Sequence, residues 1–388
     1  MKGFCSYILL LTVALCVGCS SGEQFDTSLF THTLYKPQYA SGFEILSTAD
    51  GSATLIVCHN PWQGAKDVTQ YLLIDPEGRF TSSQSHNLQR IDGPARRIVC
   101  MSSSYVAMLT AIGKSEYTVG VSGIDFISDE YVNNNRDKVH DVGYDNNIDY
   151  ETLLALAPDI VLLYGVNAAS AMEVKLQELG IPYIYIGEYV EPSPLGKAEW
   201  VVAIAEIAGC REEGEKFFSE IPTRYNHLKE LAASATSKPK VMLNTPYADS
   251  WYMPSTQSYI ARLIADAAGD YLYDRDTDNT SATIDNEEAY LMAAKADCWL
   301  NVGQIYSLAE LRSRYPKLAD IECVKRGDVY NCTRRLSPAG GNDFWESGVI
   351  RPDIILSDLI KIFHPELLNE ASNEALLKPE LYYYQRLE

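Results

Sequence analysis

A chain of 388 residues with 46% hydrophobic and 22% charged side chains can bury a large core in two lobes or domains, which excludes a disordered polypeptide. Its 52 acidic residues against 32 basic ones leave a formal net charge of −20. That balance excludes nucleic acid as a partner, because phosphate binding needs surplus Lys and Arg to displace counterions.

The chain starts with one early lysine, Lys2, then a short apolar run over residues 7–17 that ends at Gly18 and Cys19. The run is too short to span a bilayer, and no other stretch is apolar for long enough. Small residues before a cysteine, after a signal-like apolar core, resemble a bacterial lipobox. Cys16 stands where that pattern prefers leucine. The expectation is cleavage before Cys19, acylation of its thiol, and a lipoprotein on the periplasmic side or at the cell surface that touches the membrane only through its anchor.

Export places the remaining cysteines, Cys58, Cys100, Cys210, Cys298, Cys323 and Cys332, where disulfides are permitted. They are scattered and form no CxxC pair, so buried free thiols are expected, with Cys323 and Cys332 as one pair open to bridging. The histidines His32, His59, His86, His140, His227 and His364 are equally isolated, with no HxH or HExxH group. A metal site built by the protein itself is not expected.

Residues 20–95 alternate short Thr, Val, Ile and Tyr-rich runs with turns, and 42–46, 53–59 and 70–74 read as strands of a small antiparallel extension. From residue 96 the texture changes to apolar strands alternating with helical patterns, as a helix-covered parallel sheet requires, closing a first lobe at about residue 194. Residues 195–236 read as a helical linker. In its longer part Phe217, Ile221, Tyr225, Leu228 and Leu231 fall at steps of three and four, one apolar stripe on a charged helix long enough to cross between lobes. Residues 237–388 repeat the strand and helix syntax. The fold class is therefore α/β: two Rossmann-like lobes joined by a long interdomain helix, with a small N-terminal β extension after a signal peptide of residues 1–19. Two such lobes make a cleft, the usual place for a ligand.

The order of residues 97–105 (RIVCMSSSY), 147–159 (NIDYETLLALAPD), 180–183 (GIPY) and 196–200 (GKAEW) resembles the class III, helical-backbone periplasmic binding proteins for siderophores, heme and vitamin B12. The later 251–255 (WYMPS), 266–271 (DAAGDY), 341–346 (GNDFWE) and 351–353 (RPD) look like the version found in Bacteroidetes-type lipoproteins. The similarity covers about residues 35–388, and its specificity lies in the order and spacing of the segments together.

The resemblance implies capture of a metal chelate, an iron-siderophore first, with heme or cobalamin as alternatives, and delivery to an ABC permease dimer in the inner membrane. It also implies a glutamate at the tip of each lobe that docks on the permease. The matching positions are Glu151 and, in preference to Glu288, Glu287, each in the first turn of a predicted helix.

Ligand contacts are expected from loops at strand ends: Ser103, Ser104, Tyr105, Phe126, Tyr144 and Tyr164 in the first lobe. In the second they are Tyr247, Trp251, Tyr252, Arg334, Arg335, Phe344 and Trp345. Aromatic faces suit flat ligands, and the two arginines tilt the expectation towards an anionic iron chelate. The chain carries no GxSxG, HExxH, P-loop or GxGxxG motif, so catalytic residues and resident cofactors are not expected, and it is read as a monomer.

Overall fold

A computed structural model describes residues 23–81, 87–144, 147–166, 168–248, 250–275, 281–369 and 377–388. The expected leader and lipidation site Cys19 lie outside the described residues.

The architecture is the two-lobed α/β one that the sequence led us to expect. In the first lobe Ile98–Cys100 starts the sheet at its centre, with Thr118–Val121 and His140–Asp141 added on one side and Ile160–Leu163 and Tyr183–Tyr185 on the other, all parallel. Ile98–Cys100, Thr118–Val121 and Ile160–Leu163 are buried along their whole length, because helices cover both faces; hence the unbroken apolar runs of the first and third. The second lobe repeats the plan. Lys240–Leu243 lies between Asp270–Tyr271 and Cys298–Leu300, followed by Val329–Asn331 and an antiparallel edge, Gln385–Arg386. In each lobe the strand order reverses beside the first strand, and open α/β sheets bind ligands at such a switch point.

The lobes are bridged by the helix Arg211–Ala233, whose 23 residues span about 34 Å at 1.5 Å each. Its buried stripe is Phe218, Ile221, Tyr225, Leu228 and Ala232. The expected stripe is thus rotated slightly at both ends, with Phe217 and Leu231 half-buried on its flank. Tyr225 donates from its hydroxyl to Asp266 of the second lobe at 2.9 Å, and Lys229 reaches the same carboxylate at 2.9 Å. A single cluster of buried apolar side chains runs from Ile98 and Val106 through Trp200 and Leu228 to Leu243 and Leu359. A core shared across both lobes and the strut opposes large hinge motion.

Residues before the first lobe form a five-stranded sheet in the order His32–Tyr35, Phe43–Ser47, Thr54–His59, Thr69–Ile74 and Leu88–Ile91. It is antiparallel except for its last pair, which is parallel. The three expected strands pair antiparallel with one another, and the parallel partner Leu88–Ile91 is an additional strand that the sequence reading did not name. The chain turns after Ile74, where the Asp75 carboxylate accepts the Arg79 and Phe80 amides, and runs back before Leu88.

Two buried carboxylates fasten this sheet to the first lobe. Glu199 accepts from the Gln38, Tyr39 and Ala40 amides and the Tyr35 hydroxyl at 2.7 to 2.8 Å. Glu191 accepts from the Ser41 and Gly42 amides at 2.9 Å and from Trp200 Nε1 at 3.1 Å. Charge-assisted bonds of this kind are about twice as strong as neutral ones. The six described cysteines are buried free thiols, so Cys323 and Cys332 are not bridged.

Candidate functional site

The strand ends of both lobes open on a cleft of about 460 Å³. From the first lobe, Ser102, Ser103 and Ser104 follow strand Ile98–Cys100 directly, and Glu188 and Tyr189 follow Tyr183–Tyr185. From the second lobe, Asn244 and Asn301 follow the two strands at the switch point, Lys240–Leu243 and Cys298–Leu300. Both asparagines adopt left-handed backbone angles, φ 63° and 58°, which asparagine tolerates better than other non-glycine residues. Tyr259 and Trp345 add aromatic surface, their ring centroids 6.5 Å apart at a near-perpendicular 74°.

An ion pair sits in the lining. Lys197 Nζ lies 2.7 Å from Glu188 Oε2, with the two side chains only 6% and 7% exposed. The Ser104 hydroxyl donates to the other Glu188 oxygen at 3.0 Å, and Lys197 also donates to the Glu188 carbonyl at 3.1 Å. The ammonium stands over the Tyr259 and Tyr189 rings, 4.9 and 5.6 Å from their centroids. Burial raises the pKa of both phenols, which therefore keep their protons and can donate. Glu188, Glu191 and Lys197 are the charged side chains among the described residues of the lining. Lys197 is already paired and Glu191 is occupied by the amides it accepts from.

The sequence-predicted contacts separate into groups. Ser103, Ser104 and Trp345 line the cleft. Tyr105, Trp251 and Phe344 are core residues instead, each 1% exposed or less. The Tyr105 hydroxyl is bonded to the carbonyls of Leu163 and Ile186 under the sheet. Trp251 stacks on Trp299 at 5.7 Å and donates from Nε1 to Leu243 O. Alternation along strand Ser250–Met253 sends Trp251 inward and Tyr252 outward. Phe344 is held edge-on by Tyr383 and Tyr384. Tyr164 is half-buried against the core. Phe126, Tyr144, Tyr247 and Tyr252 are exposed but do not line the cleft.

Arg334 and Arg335, expected at the ligand, line a second cavity of about 560 Å³ between the lobes. There Arg335 binds Asp343 at 2.5 Å and covers the Tyr382 ring at 4.4 Å, while Arg334 lies 3.9 Å from Glu380. In the same cavity the Ser128 amide of the first lobe donates to the buried Glu346 of the second at 2.9 Å. Burial, with Asp343 and Asp129 nearby, pushes the Glu346 carboxyl up to about 8 against the opposing pull of the Ser128 amide. Close by, Gly341 packs against the Phe126 carbonyl, where any Cβ would clash.

Sequence reasoning passed over Glu188, Lys197, Tyr189, Tyr259, Asn244 and Asn301. The two asparagines had a readable signal, since each directly follows an apolar strand run. Among the described residues no three His, Cys, Asp or Glu side chains gather to hold a metal ion, and no helix is long and apolar enough to cross a membrane.

Two α/β lobes, a bridging helix and a cleft across both switch points define an interlobe binding protein. The chain belongs to the periplasmic binding protein family, whose model matches residues 98–336. It is similar to an uncharacterized lipoprotein of Methanocaldococcus jannaschii, 27% identical over 75% of this chain and 70% of that protein. Among solved structures it shares the fold of a periplasmic heme-binding protein from Pseudomonas aeruginosa, with TM-score 0.54 and 18% identity over 70% of this chain and 93% of that one. A periplasmic vitamin B12-binding protein of Vibrio cholerae matches with TM-score 0.51 and 14% identity over 71% and 99% of the two chains.

Proposed function

We propose that this chain is the substrate-binding component of an ABC importer, lipid-anchored at Cys19, which holds a preassembled metal chelate of low net charge in the interlobe cleft. The observation that carries the reading is the lining itself: hydroxyls, carboxamides and aromatic rings, with its one ammonium already neutralised by Glu188. A metal arriving in that cleft meets no compact set of protein ligands among the described residues, so its donors come with it.

A trianionic catecholate complex, or heme with its two propionates, calls for uncommitted cations. The arginines that suggested an anionic ligand lie in the other cavity. A ferric tris-hydroxamate siderophore is neutral and rimmed by carbonyl oxygens, which suits seryl hydroxyls and amide donors. A corrinoid, rimmed by carboxamides, is the second reading that the same lining favours.

Docking is assigned to Glu151 and Glu287. Both are exposed, in the first turns of helices Tyr150–Leu156 and Asn286–Ala293, each capped by an aspartate, Asp149 or Asp285. Glu288 is engaged by Arg275, which supports Glu287 as the second docking carboxylate. An exposed leucine lies one turn beyond each, Leu154 and Leu291, so both tips present a carboxylate beside an apolar contact. Charge at such a rim steers and orients association more than it tightens it.

The double variant Glu151→Ala/Glu287→Ala should bind its chelate with unchanged affinity and lose at least 90% of import, roughly the tenfold effect of 1.4 kcal/mol in the docked complex. Cells carrying the chain and its permease, fed labelled chelate, provide the measurement. Undiminished import by the double variant rejects the docking assignment.

A further inference from the structure

A single ammonium stands between aromatic rings of both lobes. Lys197, on helix Pro194–Glu199, has its Nζ 5.6 Å from the ring centroid of Tyr189 and 4.9 Å from that of Tyr259. Tyr189 belongs to the first lobe, on the 3₁₀ turn Gly187–Val190 that follows strand Tyr183–Tyr185. Tyr259 opens helix Tyr259–Asp266 of the second. Attraction between a cation and a ring is strongest where water is excluded, and the Lys197 side chain is 6% exposed, so one charge orients both rings. Trp345 braces Tyr259 from the side, edge to face.

Both phenols line the cleft, and among the described residues neither hydroxyl has a hydrogen-bond partner. Other hydroxyls of the lining are committed: Ser104 donates to Glu188 and Ser258 to the Ser255 carbonyl. Two oriented donors, one from each lobe, are thus left for whatever the cleft holds. We infer that Tyr189 and Tyr259 are a pair of specificity-determining hydrogen-bond donors that take carbonyl or hydroxamate oxygens at the edge of an uncharged chelate.

The chemistry follows from the phenol, which carries one O–H donor. Burial and the nearby Glu188 carboxylate keep the proton on both oxygens, so each donates and the metal retains the ligands it arrived with. A site that hydrogen-bonds an oxygen rejects a ligand lacking it, because the desolvated donor is then left unpaired. Since the two donors come from different lobes, a chelate that engages both also ties the lobes together. The inference rests on the proposed function of the cleft.

The test uses the full-length chain in detergent, titrated with ferrichrome, a neutral ferric hydroxamate, and with cyanocobalamin, and followed by tryptophan fluorescence and visible absorption. Tyr189→Phe, Tyr259→Phe and the double variant are compared with the wild type. Phenylalanine keeps the ring beside the ammonium and removes only a hydroxyl without a partner among the described residues, so melting curves without ligand should stay close to the wild type. Each single variant should bind the preferred chelate about five- to tenfold more weakly, the effect of one lost hydrogen bond, and the double variant more weakly than either. The absorption of the bound chelate should remain that of the free one.

Wild-type affinity in either single variant overturns the inference while leaving the proposed function standing. A phenolate-to-metal charge-transfer band that appears on binding also overturns it, since a tyrosine then ligates the metal. Failure of the wild type to bind either chelate overturns the proposed function, and this inference with it.

Discussion

Lys197→Met should cost about 3–5 kcal/mol of unfolding free energy at neutral pH, the range seen when one partner of a buried ion pair is removed. The methionine keeps the aliphatic stem between Tyr189 and Tyr259 but leaves Glu188, 7% exposed, without its counter-charge. Only the Ser104 hydroxyl then remains at that carboxylate among the bonds described. The double variant Glu188→Gln/Lys197→Met should recover most of the loss, because no buried charge is left unpaired. Urea denaturation of the three proteins measures both steps. A single-variant loss below about 1 kcal/mol, typical of exposed pairs, would show that the pair is hydrated and not part of a dry cleft wall.

Glu346 should make the protein less stable as pH rises. Its carboxyl is raised from an ordinary 4.5 to about 8, so the fold prefers the protonated form. The native state therefore holds a proton that the unfolded chain releases, and that contribution is fully present below pH 4.5 and lost as pH climbs through about 8. The groups facing it act in both directions: the Asp129 and Asp343 carboxylates oppose ionisation, the Ser128 and Asp129 amides favour it, and Arg335 is held by Asp343. A loss on the order of 3 kcal/mol between pH 5 and 9 is expected.

Glu346→Gln keeps an acceptor for the Ser128 amide and should flatten this dependence, making the variant the more stable protein at pH 9. Thermal melts across the range decide it. Parallel pH profiles for the two proteins would mean that Glu346 does not titrate as described. Because Ser128 and Glu346 belong to different lobes, the same substitution should also alter amide exchange at Ser128 at alkaline pH.

The fold was legible where physical periodicity is strong. Runs such as Ile98 to Cys100 and Ile160 to Leu163 read as buried strands because no polar residue interrupts them. The strut was legible from its stripe, although Phe217 was chosen where Phe218 faces the core: adjacent aromatic residues on a helix look equivalent to a step-counting argument.

The site was harder to read for related reasons. Trp251 and Tyr252 are neighbours in sequence, and which of them points outward depends on a strand register that only the antiparallel partner Ala282–Asp285 fixes. Arg334 and Arg335 carry the right chemistry for an anion, yet Asp343 and Tyr382 engage Arg335, and those partners become neighbours only after folding. Glu188 and Lys197 are nine residues apart, on a 3₁₀ turn and the following helix, a spacing that belongs to no motif. Tyr189 and Tyr259 lie in different lobes, and their shared relation to Lys197 is entirely tertiary.

The most direct measurement mixes the full-length chain with ferrichrome, cyanocobalamin, hemin or ferric ion alone, followed by gel filtration and assay of metal and organic ligand in the protein peak. Retention of one uncharged chelate, with metal and ligand each equimolar to protein, is the expected result. Retention of bare ferric ion without its chelate, or of none of the four, would contradict a cleft built to trap a preassembled complex.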